Sequence, residues 1–127
     1  MKKIIATTNA PAALGPYSQA VLAGNTLYCS GQLGLIPETG EFAGNTAAEQ
    51  AVQAFKNIEA VLKEAGTGFE NIVKTTCFLD NIEDFNSVNE VYKQFLGEDN
   101  FPARSALEIG KLPKNALVEI EVIAVVD

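Results

Sequence analysis

The chain has 127 residues, which suits one domain, and its 47% hydrophobic and 20% charged content is that of a soluble globular protein. A net charge of −7 argues against nucleic acid as a partner, because phosphate binding is driven by Lys and Arg. The chain has no histidine, which removes Ser-His and Cys-His nucleophilic catalysis, histidine general bases and nearly all zinc sites.

The opening Met1-Lys2-Lys3-Ile4-Ile5-Ala6 has no apolar run of signal-peptide length, and no stretch approaches a membrane span. Cys29 and Cys77 are far apart and form no CxxC motif, so they read as small buried hydrophobes of a reduced protein. The expected setting is the cytoplasm, with neither membrane nor nucleic acid as partner.

In chain order, Lys3 to Thr7 can form a strand, and Thr8 to Pro16 is a loop broken by Asn9, Pro11, Gly15 and Pro16. Tyr17 to Leu22 and Thr26 to Ser30 read as strands joined at Gly24-Asn25, a dipeptide suited to a tight hairpin turn. Gly31 to Gly44 is loop-rich. Thr46-Ala47-Ala48-Glu49 is a capping box, and Val52, Phe55, Ile58, Leu62 and Ala65 follow at helical spacing until Gly66.

Asn71 to Asp80 alternates as a strand, with Val73, Thr75, Cys77 and Leu79 expected on one face and Ile72, Lys74, Thr76 and Phe78 on the other. A second helix runs from Ile82 or Asp84 to Leu96 on the stripe Phe85, Val88, Tyr92 and Phe95, and Gly97 stops it. The last quarter reads as two strands, Phe101 to Gly110 and Ala116 to Val126, paired as a hairpin through a Pro/Asn turn. The order is β-β-β-α-β-α-β-β in a single α+β domain over residues 1–127, with both helices on one face of one sheet. The final strand is apolar on both faces, so the face without helices needs cover, and a homo-oligomer is expected.

Several residues carry possible chemistry. Arg104 stands in a stretch short of charge and offers a planar fork that matches a carboxylate; it serves either as a substrate clamp or as the cross-strand partner of Glu119 or Glu121. Those two acids interrupt an apolar strand, where burial would raise a carboxyl pKa and make it a usable acid or base; solvation at a sheet edge is the alternative. Gly15-Pro16 fixes the backbone before Tyr17, whose ring and hydroxyl can either line a site or pack a turn. Ser30-Gly31-Gln32 could bring backbone amides to an anion or simply end a strand.

Taken in order, Gly15-Pro16-Tyr17-Ser18-Gln19-Ala20, Ser30-Gly31-Gln32, Phe101-Pro102-Ala103-Arg104-Ser105, Leu112-Pro113 and Ala116-Leu117-Val118-Glu119-Ile120-Glu121 strongly resemble the RidA/YjgF family of enamine/imine deaminases, over essentially the whole chain. The resemblance implies a chorismate-mutase-like α+β fold, a homotrimer, and sites in the clefts between subunits. It implies hydrolysis of 2-imino or 2-aminoacrylate-type acids, released by pyridoxal-phosphate dehydratases, to 2-keto acids and ammonia. No cofactor and no metal are implied, because an imine is already electrophilic.

By motif, Arg104 would hold the carboxylate, Glu119 would handle the attacking water or its proton, and Tyr17 would line the cleft. Ser30 and Gly31 would form the site wall, and Asn89 of Asn-Glu-Val-Tyr would join the substrate-binding set. Many members carry a cysteine two residues after the arginine. Here that position is Ala106, which leaves only its backbone groups. Glu121 shares a face with Glu119 and could instead relay the proton. Two rivals stand beside the deaminase: a non-catalytic binder of 2-keto or amino acids, and an endoribonuclease, which the negative charge and missing histidines disfavour.

Overall fold

The capping box forms. Thr46 Oγ1 accepts from the Glu49 amide at 3.1 Å, and Glu49 Oε1 accepts from the Thr46 amide at 3.2 Å. It starts helix α1 (Ala47–Glu64) in a computed structural model that describes residues 1–127. Gly66 closes the helix at φ +85°, a conformation that costs glycine little. A short 3₁₀ turn over Ile82–Asp84 then leads into α2 (Phe85–Leu96), which ends at Gly97 with φ +90°.

Six strands make one sheet: β1 (Lys2–Ile5), β2 (Ala20–Ala23), β3 (Thr26–Leu33), β4 (Ile72–Leu79), β5 (Ala103–Glu108) and β6 (Val118–Val125). Their spatial order is β1-β2-β3-β6-β4-β5, and every pairing is antiparallel except β4 with β5. The β2–β3 hairpin turns at Gly24-Asn25 as expected, with Gly24 at φ +62°.

The terminal hairpin does not form. Strand β4 lies between β5 and β6, and β5 pairs with β4 in parallel. The reason is the crossover: β4, α2 and β5 make a βαβ unit, which lays β5 beside and parallel to β4. The apolar β6 takes the centre of the sheet, where both of its edges are paired, and the mostly exposed β5 takes the rim.

The face assignment within β4 also differs at its start. Ile72 is buried with Thr75, Cys77 and Leu79, while Val73 is exposed. The register jumps from Ile72↔Ala124 to Lys74↔Ile123, so a β-bulge shifts the alternation by one residue and turns the isoleucine inward.

Both helices cover one face. Phe55, Ile58, Val61 and Leu62 of α1 pack on Val118, Ile120, Val122 and Ala124 of β6, and Val88, Val91 and Tyr92 of α2 extend the same core beside α1, with the Tyr92 hydroxyl against Thr75 of β4. The other face is uncovered within the chain. Across it runs a register row of Ile4, Val21, Tyr28 and Ile123, in which Ile4 and Tyr28 are each 52% exposed. No helix is long and apolar enough to cross a membrane.

Candidate functional site

Alternation and register decide which candidate residues can meet. Arg104 stands opposite Thr75, which is fully buried under the helices, so in a parallel pair Arg104 also projects to the helix face. Its Nη1 donates to Asn89 Oδ1 on α2 at 2.6 Å. Its Cζ lies 4.8 Å from the Tyr92 ring centroid and 5.1 Å from that of Phe85. No carboxylate in the chain pairs with it; the one ion pair is Lys93 with Glu90. The cross-strand pairing with Glu119 or Glu121 weighed from the sequence is therefore not made. Arg104, Asn89 and Tyr92 border a cavity of about 750 Å³ between α2 and the start of β5, which Phe101, Pro102 and Leu96 also line.

Ala106 stands opposite Cys77 on the same face. The Cys77 thiol is buried, and burial pushes its pKa up, so it is held as the neutral thiol.

Glu119 and Glu121 project to the uncovered face. Their register partners in β4 are Phe78 and Thr76, and the intervening Cys77↔Ile120 pair points into the core. Arg104 and Glu119 thus lie two strands apart on opposite faces of the sheet. Desolvation raises the Glu119 pKa, and the neighbouring Glu121 carboxylate raises it further.

The other candidates gather around Glu119. A bulge in β3 between Cys29 and Gln32 leaves Ser30 and Gly31 in the irregular stretch beside it. A Cβ built on Gly31 would stand 2.5 Å from Glu119 Oε2 and 2.8 Å from its Cδ, so only glycine leaves room for this carboxylate. Ser30 Oγ donates to the Ser18 carbonyl at 2.6 Å, fixing the strand to the loop before it. Tyr17, 55% exposed, lines the same cavity of about 710 Å³ as Ser30, Gly31, Lys114 and the two glutamates. Its amide bonds back to the Gly15 carbonyl at 2.8 Å around Pro16, so the Gly-Pro pair does aim it.

Two kinds of residue escaped the sequence reading. Gln19 is buried and holds the Thr7–Pro16 loop: its Oε1 accepts from the Thr7 amide at 2.7 Å and its Nε2 donates to the Pro11 carbonyl at 2.7 Å. A glutamine at an expected strand position gives no sign that it will turn inward. Phe85 and Tyr92 read as core periodicity, and their contact with Arg104 depends on the crossover.

The geometry therefore offers an unneutralised guanidinium on one face and a carboxyl of raised pKa on the other. The family model described as Endoribonuclease L-PSP matches residues 7–126. The chain belongs to this family, the RidA/YjgF or Rid family. A human protein named 2-iminobutanoate/2-iminopropanoate deaminase is 50% identical over 125 residues, covering 98% of this chain and 90% of the human one. A Rid-family protein of unknown function from Yersinia pestis superposes with a TM-score of 0.96 at 50% identity, covering 99% of this chain and all of its own. Escherichia coli TdcF, solved with bound serine, gives a TM-score of 0.93 at 40% identity, covering 98% and 99% of the two chains. The Rid fold is the chorismate-mutase-like α+β fold expected from the motifs.

Proposed function

We propose that this Rid-family chain is a deaminase that hydrolyses 2-imino acids, and their enamine tautomers such as 2-aminoacrylate and 2-aminocrotonate, to 2-keto acids and ammonia. The observation that carries the reading is Arg104: a guanidinium held by a neutral amide and two rings, with no carboxylate of its own chain to neutralise it. A small carboxylic acid supplies what it lacks. Relatives near 50% identity named 2-iminobutanoate/2-iminopropanoate deaminase support the same chemistry.

Arg104 binds the substrate carboxylate, with Asn89 and the backbone of Ala106 beside it. Glu119 accepts a proton from the attacking water as its oxygen bonds to C2. The C=N π electrons pass to nitrogen, which takes that proton from Glu119 to give a carbinolamine; the carbinolamine hydroxyl then gives up its proton, which passes through Glu119 to the nitrogen, and its electrons form the keto C=O as the C–N bond breaks and ammonia leaves. Tyr17, Ser30 and Gly31 wall the Glu119 side. No cofactor enters these steps. The expected setting is the cytoplasm, which two free, buried cysteines support. The test is ammonia release from 2-aminoacrylate generated by a dehydratase. A rate equal to buffer would leave a carboxylate-binding protein, and salt-dependent RNA binding would favour the ribonuclease reading instead.

Arg104 and Glu119 serve one substrate only if they come from two chains, since one sheet separates them. A homotrimer with sites between subunits satisfies this, and it covers the apolar row of Ile4, Val21, Tyr28 and Ile123. Light scattering at low concentration is expected to give three chain masses, and a stable active monomer would exclude the shared site. Gly31→Ala is expected to displace the Glu119 carboxylate and lower deamination by about 10- to 100-fold, as misplacement by an ångström can. A coupled keto-acid assay beside a thermal melt checks that the loss is local.

A further inference from the structure

Helix α2 carries Phe85, Asn89 and Tyr92 at i, i+4 and i+7, which places them on one face. From that face Asn89 takes one N–H of Arg104 at 2.6 Å, and the two rings lie 5.1 Å and 4.8 Å from its Cζ. Tyr92 is itself anchored. Its ring meets Phe55 edge-on at 5.0 Å, and its hydroxyl lies 3.4 Å from Thr75 Oγ1. Thr75 is the residue directly opposite Arg104 in the sheet. The core therefore fixes Tyr92 from behind, and Tyr92 meets the guanidinium in front. Arginine carries much rotamer freedom on its stem, and a fork that must meet a planar carboxylate benefits from losing it before the ligand arrives.

We propose that Phe85 and Tyr92 are positioning residues: their rings form a cation–π cradle that, with Asn89, holds the Arg104 fork in place for a carboxylate. The working part of Tyr92 is its ring. Burial pushes the pKa of its hydroxyl well up, so the group stays protonated and carries no charge to Arg104. This inference rests on the deaminase reading for the identity of the ligand, but the cradle itself is a property of the free protein.

Phe85 is the position to test, because it is half-buried whereas Tyr92 packs deep against Phe55. Phe85→Leu is expected to raise the Kd for pyruvate about 2- to 5-fold, the scale of a cation–π contact at an exposed arginine. Phe85→Tyr, which restores a ring, should recover most of that loss. In turnover KM should rise while kcat holds, the pattern of lost uniform binding. In an Arg104→Ala background Phe85→Leu should cost nothing further, since the interaction it removes is already gone.

A ligand-free arm uses ¹⁵N NMR of the Arg104 Nε–H, identified by its loss in Arg104→Ala. Its ring-current-shifted resonance should move toward the free-arginine position in Phe85→Leu. Unchanged pyruvate affinity with an unmoved resonance would overturn the proposal. So would an equal penalty with and without Arg104. A parent that binds no pyruvate, yet shows the shifted resonance and its movement in Phe85→Leu, would sink the deaminase reading and leave the cradle standing.

Discussion

Glu119→Gln is expected to lower deamination by a factor on the order of 10²–10⁴, the usual contribution of a positioned acid–base group. Glutamine keeps the shape that Gly31 accommodates and removes only the titrating group. Pyruvate affinity, measured by calorimetry, should change far less, because the lost interaction belongs to the transition state. The paired control, Glu121→Gln, should be milder; a dead Glu121→Gln beside an active Glu119→Gln would exchange the two roles. Acting as a base, Glu119 must be ionised, so turnover should fall as pH drops through its raised pKa.

Stability carries the opposite sign. A carboxyl whose folded pKa lies above its unfolded value binds more protons when folded. Its contribution is therefore most favourable at low pH and is lost as pH rises from the unfolded value through the folded one. Glu119→Gln, which cannot ionise, should gain melting temperature relative to the parent across that rise. Parallel melts from acid to neutral pH would show it, and a gap that narrows instead would contradict the desolvation of Glu119.

Arg104→Ala is expected to lower turnover steeply, to a small measurable residue, while the chain keeps its fold and its proposed trimeric mass. Leaving a buried substrate carboxylate unpaired costs roughly 2–5 kcal/mol, about 30- to 5,000-fold in kcat/KM. Arg104 makes no ion pair inside the chain, so its loss leaves no orphaned acid, and the melt should shift little. Arg104→Lys should rescue only a small part, because a point charge reproduces neither the fork nor the contact with two rings. Near-parental activity in either variant, read in the coupled dehydratase assay, would return Arg104 to a structural role.

Local chemistry was legible in the sequence because local chemistry produces it. The Thr46–Glu49 box, the stop at Gly66, the turn at Gly24 and the aim of Tyr17 by Gly15-Pro16 each depend on residues within a few positions of one another. The candidates stood out in the sequence too, since the chain's one arginine lies in a stretch short of charge and two acids interrupt an apolar strand. What the tertiary structure decided is who meets whom. The β4-α2-β5 crossover sends β5 to the rim and puts β4 between it and β6, so a sequence-adjacent pair became next-but-one neighbours. One bulge in β4 exchanged Ile72 for Val73 in the core, and another in β3 brought Gly31 against Glu119. Because strand alternation has a period of two, such single-residue shifts reassign whole faces, and no local pattern announces them. The same alternation set Arg104 and Glu119 on opposite sides of one sheet, a separation that only pairing register can reveal.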